Sequence, residues 1–83
     1  MTSALYGGGA PRGVWGRLTD AYAALAPVGR AWVDAGRPRD VPLYAVFCAA
    51  EADYNAARVA ADAWDWSADQ LAEWARLHRA FDP

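Results

Sequence analysis

The middle of this 83-residue chain carries one regular apolar pattern. The apolar positions recur at alternating steps of four and three: Leu43, Phe47, Ala50, Tyr54, Ala57, Ala61 and Trp64. An α-helix has 3.6 residues per turn, so this spacing places all of these side chains on one face. The pattern predicts a helix over residues 41–63 that buries this face against other helices, with Arg58 and Asp62 spaced for an ion pair on its polar face.

Two further helices are predicted before this one. The first covers residues 14–25, because an apolar stripe runs along it: Trp15, Leu18, Tyr22 and Leu25. Pro27 lacks a backbone N–H and disfavours helix at the preceding residue, so it is expected to end this helix and to start a short second one. Gly36 is the expected C′ residue of that second helix. Asp40 is expected to cap the next helix, with Pro42 in its first turn.

A fourth helix is predicted to start at Ser67. Ser67 and Gln70 stand three residues apart, which is the capping-box spacing. Trp66 precedes the cap and is expected to pack partly on Leu71, leaving some of its indole exposed. The apolar face is formed by Leu71, Trp74, Leu77, His78 and Phe81, and the outward face by Asp69, Glu73, Arg76 and Arg79.

The predicted fold is therefore all-α, a compact four-helix single domain over residues 14–83. Nowhere do β-branched residues alternate over a strand-length segment. Residues 1–13 contain Gly7, Gly8 and Gly9 in succession, which predicts a flexible N-terminal arm.

Composition and charge exclude several classes of protein. The net charge is −2 and the pI is near 5.1, which argues against a general binder of phosphate backbones. A single cysteine forms no internal disulfide, and the sequence shows no signal peptide or membrane-spanning run. A soluble cytoplasmic protein is expected. All eight Lys and Arg positions are arginine, which indicates a GC-rich bacterial or phage genome.

Reactive side chains are few. Cys48 and His78 are each the only residue of their type, so no cofactor and no histidine- or cysteine-based metal site is predicted. Cys48 lies within a helical segment, where an inert buried thiol is the common outcome, although a Cys48–His78 nucleophile pair is conceivable. Asp62, Asp65 and Asp69 lack a calcium-loop spacing and are interpreted as solvated charges near a helix N-terminus. The chain is expected not to be an enzyme.

The segment RVAADAWDWSADQLAEWARLHR, residues 58–79, resembles a helix-turn-helix of the homeodomain-like kind. Ala61 stands where the first helix of that motif has a small residue, and Trp64 and Trp66 flank the turn. The resemblance implies DNA binding, with a set of side chains directed into the major groove: Ala68, Asp69, Ala72, Glu73 and Arg76. Asp69 and Glu73 would then meet a polyanion, which weakens this alternative.

The leading hypothesis is a non-enzymatic protein-interaction module, such as an adaptor, an inhibitor or an accessory subunit that docks on a larger protein. Five tryptophans are many for one small core, and tryptophan and arginine dominate interface hot spots. Trp64 and Trp66 lie two residues apart, so one of them is expected to reach the surface. The predicted contact residues are Trp64, Trp66, Asp69, Glu73 and Arg76, with Arg37 and Arg39 as a second edge. DNA or a second copy of the chain are the alternative partners.

Overall fold

The structure, a computed structural model, describes residues 9–81 and contains three helices. They are α1 (Arg12–Asp34), α2 (Pro42–Asp62) and α3 (Ala68–Phe81). No strand occurs within residues 9–81, so the all-α class is confirmed. The predicted count of four helices is wrong, because the first two predicted helices are one. Residues 1–8, most of the expected flexible arm, lie outside the described residues.

Pro27 lies inside α1 and does not end it. An interior proline leaves the carbonyl four residues earlier without its N–H partner and costs about 3 kcal/mol relative to alanine. Packing beyond Pro27 explains why the helix continues. Trp32 stacks on Phe47 of α2 with a centroid distance of 4.4 Å, and Gly29 lies close enough to Phe47 that an added Cβ would be 3.4 Å from its ring. Contacts with α2 therefore hold residues 28–34 helical against the local preference.

Replacing Pro27 with alanine is expected to stabilise the protein by about 2 kcal/mol. The restored helix favours alanine by about 3 kcal/mol, and the greater freedom of the unfolded chain offsets up to about 1 kcal/mol of this gain. Thermal and urea unfolding measure the change. Pro42→Ala is the matched control and should have little effect, since Pro42 occupies the first turn of α2, where no N–H bond is lost. A lower melting temperature for Pro27→Ala would contradict the account of α1.

The loop between α1 and α2 begins with a Schellman turn. The N–H of Gly36 donates to the carbonyl of Val33 at 3.0 Å, and the N–H of Arg37 donates to that of Trp32 at 2.9 Å. Gly36 has a φ of 91°, a value that glycine adopts without strain. The prediction of Gly36 as the C′ residue is confirmed.

The start of α2 differs from the prediction. Val41 is the N-cap residue, in extended backbone, and no side chain bonds to the free N–H groups. Asp40 lies one residue too early to act as the cap, so that prediction is wrong. Pro42 at the start of the helix is confirmed.

The start of α3 matches the capping-box prediction. The N–H of Gln70 donates to Ser67 Oγ at 3.2 Å, and the N–H of Ser67 donates to Gln70 Oε1 at 3.0 Å. Two N–H groups of the helix end are thereby satisfied by side chains. This reciprocal pair fixes where the chain turns from the α2–α3 connection into α3.

The helices pack around a small core. α1 and α2 form an antiparallel hairpin, since Arg17 near the start of α1 contacts Asp53 in α2, while Trp32 near its end contacts Phe47. The buried side chains are Ala10, Trp15, Leu18, Ala21, Ala57 and Ala61. The predicted seam of α2 is confirmed at Ala57 and Ala61, whereas its last member, Trp64, is 47% exposed.

α3 covers only part of the hairpin. It has 14 residues, a length of about 21 Å, whereas α1 has 23 residues, a length of about 34 Å. α3 packs on the half of α1 that precedes Pro27, where Tyr22 contacts Trp74, His78 and Phe81. The half of the hairpin next to the α1–α2 loop therefore has no third helix on it within the described residues.

Candidate functional site

An apolar groove of about 270 Å³ lies on the uncovered half of the hairpin. Its lining residues are Tyr22, Leu25, Ala26, Gly29, Arg30, Val33, Phe47 and Phe81. We call this the loop-end groove. Since Phe81 is the last residue of α3, the groove begins where α3 stops covering the hairpin.

Small residues on α1 and one aromatic ring on α2 shape the loop-end groove. A Cβ added to Gly29 would lie 3.4 Å from Cε1 of Phe47, so the phenyl ring lies directly against the glycine. Trp32 stacks on the same phenyl ring, with only 16° between the two ring planes. This contact restricts the rotation of the Phe47 ring. Val33 on α1 is 44% exposed. The result is an accessible apolar surface with a defined aromatic wall.

Charged side chains of both signs are exposed near the loop-end groove: Arg30, Arg37 and Arg39, and Asp34, Asp40 and Glu51. Among residues 9–81, Arg30 is the only charged side chain that lines the groove. Arg30 Nε lies 3.8 Å from Asp34 Oδ2 in an exposed pair that contributes little stability. Arg37 and Arg39 are exposed in the loop that follows α1. Neither forms an ion pair within residues 9–81. The predicted second edge thus lies at the loop end of the hairpin.

Most of the other predicted contact residues lie at the opposite end, around a cluster of three tryptophans. Trp15, Trp66 and Trp74 meet edge to face, with centroid distances of 4.8, 5.9 and 5.5 Å. The indole N–H of Trp66 donates to the carbonyl of Ala61 at 3.0 Å. The indole of Trp66 is therefore partly buried, and its N–H group already has an acceptor within the protein.

Trp66 does not pack on Leu71 as expected. Leu71 is 54% exposed, and the indole of Trp66 packs on Trp15 and Trp74 instead. Of the two tryptophans in the turn, Trp64 is the one that reaches the surface, at 47% exposure. The expectation that one of the pair is exposed is confirmed.

Glu73 does not face outward as expected. Its Oε1 accepts a hydrogen bond of 2.6 Å from the indole N–H of Trp15, and the side chain is partly buried. The bond joins residues 58 positions apart, so no local pattern in the sequence indicates it. Asp69 and Arg76 are exposed, as predicted.

Arg58 covers the tryptophan cluster from α2. Its guanidinium carbon lies 5.1 Å from the ring centroid of Trp66 and 5.7 Å from that of Trp74, within cation–π range. The predicted pair with Asp62 is confirmed at 2.9 Å. Two hydrogen bonds raise the pKa of Arg58 above its ordinary value. The bond to Asp62 is the larger cause, and the bond to the Tyr54 hydroxyl is the second. Arg58 therefore stays charged over the indole rings.

The end of the predicted arm is also attached to the helices. Gln70 accepts a hydrogen bond from the N–H of Ala10 at 3.1 Å and donates one to its carbonyl at 2.9 Å. Ala10 is buried, and α1 begins at Arg12. The prediction of a flexible arm reaching residue 13 is therefore wrong for residues 9–13. The amide of Gln70 attaches this segment to α3, because it bonds both to the backbone of Ala10 and to the N–H of Ser67.

The packing of α3 differs from that of a helix-turn-helix. Five residues, 63–67, connect α2 to α3, where the motif has a turn of three or four. Within the described residues α3 lies against α1, and its backbone does not approach that of α2 closely. Glu73, one of the side chains that the resemblance assigns to the major groove, is bonded to Trp15.

Side chains that could support chemistry are dispersed. Cys48 is partly buried, and its hydrogen bond with Tyr44 raises the pKa of that tyrosine. His78 stacks on Tyr22 at 4.5 Å. Within residues 9–81 no group of histidine, cysteine or carboxylate side chains is arranged to hold a metal ion. None of the helices in that range has the length and apolar character needed to cross a membrane.

Comparison of the chain with protein-family models, curated proteins and solved structures gave no match. Function is therefore inferred from the loop-end groove and the exposed side chains around the molecule.

Proposed function

We propose that this protein is a non-enzymatic helical interaction module that docks on a larger protein through the loop-end groove. The observation that supports this best is the apolar surface left uncovered between α1 and α2, with Val33 44% exposed and Phe47 forming a wall. Burying apolar surface contributes about 25 cal/mol per Å². Contiguous exposed apolar surface on a small domain commonly marks an interaction site.

A second contact area is proposed at the α2–α3 connection. The exposed indole of Trp64 lies there, and the exposed side chains of Asp69 and Arg76 follow in α3. Trp64 follows the C-terminal end of α2, whereas the groove residue Phe47 is in its first turns. Because the two areas lie at opposite ends of a 21-residue helix, about 31 Å long, substitutions in them should act independently.

A protein is favoured over DNA as the partner. The net charge is −2, and the first turn of α3 carries the exposed carboxylate of Asp69, which would repel phosphates. The groove itself is lined by apolar side chains and one arginine. DNA binding stays an alternative hypothesis, and a gel-shift titration at several salt concentrations tests it.

Val33→Glu is expected to weaken partner binding at least 10-fold, because it places a charge on the apolar surface that the partner must cover. Val33 is exposed enough that the fold should tolerate the change. The wild-type, Val33→Glu and Val59→Glu proteins are immobilised and exposed to a native lysate of the source organism. Val59→Glu is the matched control, since Val59 is 74% exposed on α2 and does not line the groove.

The expected result is a protein retained by the wild type and by Val59→Glu but lost from Val33→Glu. Circular dichroism checks that all three baits are folded. Equal retention by the two valine variants would contradict the assignment of the loop-end groove as the docking surface.

A further inference from the structure

We propose that the side chain of Gln70 is a latch between residues 9–11 and α3, and that these two segments open together while α1 and α2 stay packed. Opening would uncover the rings of the tryptophan cluster. The inference does not depend on the proposed docking function, because it concerns a movement of the chain itself. It follows from the bonds of one amide, from a close approach at Gly9 and from the distribution of buried side chains.

The amide of Gln70 bonds to two segments at once. Its Nε2 donates to the carbonyl of Ala10 at 2.9 Å, and its Oε1 accepts from the N–H of Ala10 at 3.1 Å. The same Oε1 accepts from the N–H of Ser67 at 3.0 Å, within the capping box of α3. Ala10 is buried, so its N–H and C=O groups would lack partners if the first turn of α3 unwound. Opening of α3 therefore favours release of residues 9–11, and the reverse.

Gly9 allows residues 9–11 to lie this close to the start of α3. Its φ is 71°, in the left-handed region that glycine adopts without strain. A Cβ at this position would lie 2.6 Å from the backbone nitrogen of Ser67 and would also contact Oε1 of Gln70. A backbone atom cannot rotate away as a side chain can. Any side chain at position 9 therefore forces the two segments apart.

α3 contributes less to the core than the other two helices. None of its side chains is buried, whereas α1 and α2 supply every buried residue of the described chain except Ala10. Glu73 of α3 accepts a bond from the indole of Trp15, and the remaining contacts with α1 are between rings. Segments with few buried side chains open at a lower free energy than the whole domain. α3 thus has the properties of a helix that leaves the hairpin without unfolding it.

Release of α3 would change the aromatic surface of α1. Trp15 is 7% exposed and packs edge to face on Trp66 and Trp74. Trp74 belongs to α3 and would move away with it, which uncovers the face of Trp15 that it contacts. The latch therefore keeps closed an apolar surface that is distinct from the loop-end groove.

Native-state hydrogen exchange, followed by nuclear magnetic resonance on the full chain, tests the coupling. In the wild type we expect the N–H groups of Ala10, Ser67 and residues 72–78 to have protection factors within about 5-fold of one another, because one opening exposes them all. Residues 50–60 of α2 should be protected at least about 10-fold more strongly. Exchange of residues 72–78 should also depend less steeply on urea, since this opening exposes less surface than global unfolding.

Two variants weaken the latch in different ways. Gly9→Ala introduces the steric contact with Ser67. Gln70→Glu keeps an acceptor for the N–H of Ser67, and so the capping box, but loses the donor to the carbonyl of Ala10. Each variant should raise the exchange rates of residues 72–78 at least about 10-fold and those of residues 50–60 less than about 2-fold. Gly13→Ala is the matched control, with a change below about 2-fold in α3, because nothing lies within 4 Å of a Cβ there.

Three results would overturn the inference. If the variants raise exchange only at residues 9–12, the two segments open separately. If exchange rises equally in residues 72–78 and 50–60, α3 leaves the hairpin only by global unfolding. If exchange changes in neither variant, Gln70 is not a latch. Should Gly9→Ala fail to fold, Gln70→Glu and the wild-type rates decide between the same outcomes.

Discussion

Leu18→Ala is expected to lower the free energy of unfolding by about 3–5 kcal/mol, the upper part of the range for a buried leucine. Leu18 has no exposed surface and is the largest fully buried side chain in residues 9–81. The other buried side chains, apart from Trp15, are alanines, which cannot move far enough to fill the space left behind. Domains of this size have only a few kcal/mol in reserve, so the variant should be largely unfolded at 37 °C.

Urea denaturation followed by circular dichroism measures the loss for Leu18→Ala. Leu71→Ala is the matched control, because Leu71 is 54% exposed on α3 and the same atoms are removed. Its expected cost is below about 1 kcal/mol. Similar losses for the two leucine variants would contradict the position of the core between α1 and α2.

Trp15→Ala is expected to lower the free energy of unfolding by about 3–5 kcal/mol, as for other buried large aromatic side chains. Trp15 is 7% exposed and packs edge to face on Trp66 and Trp74. The substitution removes both aromatic contacts. It also leaves the partly buried carboxylate of Glu73 without the indole donor at 2.6 Å.

Conservative variants separate the ring packing from the hydrogen bond. Trp15→Phe keeps an aromatic ring but loses the donor, and we expect a loss of about 1–3 kcal/mol. Glu73→Gln keeps an acceptor oxygen and should cost less than Trp15→Phe. If Trp15→Ala costs no more than Trp15→Phe, the packing of the ring contributes little and the account of the tryptophan cluster is wrong.

Local sequence patterns predict the parts of this fold that depend on local interactions. The capping box of Ser67 and Gln70 involves residues three positions apart, and the turn at Gly36 depends on the backbone freedom of one glycine. The seam of α2 is likewise visible, because helical periodicity alone places Ala57 and Ala61 on one face. These features follow from short-range geometry and are confirmed.

The features that sequence patterns miss depend on distant contacts. Pro27 locally disfavours a continuous helix, but packing of Trp32 on Phe47 outweighs that preference. The bonds from Gln70 to Ala10 join residues 60 positions apart, and Glu73 turns inward because Trp15 offers a donor. The alternation of residues predicts that Trp64 or Trp66 is exposed, but only the path of residues 63–67 decides which one.

The candidate site is less predictable than the fold. Leu25 and Phe47 both belong to apolar stripes, which predict burial, yet both line an open groove. The groove exists because α3 is shorter than the hairpin, a relation between helix lengths that no single segment carries. The sequence pattern therefore indicates the tryptophan-rich turn as the contact surface, and Trp64 is the exposed part of that turn.

Nuclear magnetic resonance mapping of the bound partner tests the proposed function most directly. The amide resonances of the labelled wild-type protein are followed as the protein captured by the wild-type bait is added. The groove account predicts that the largest shifts occur at residues 25–33 and 44–51, on the two walls of the loop-end groove, with smaller shifts at Trp64 and its neighbours. Shifts confined to residues 64–76, with the groove residues unchanged, would contradict it.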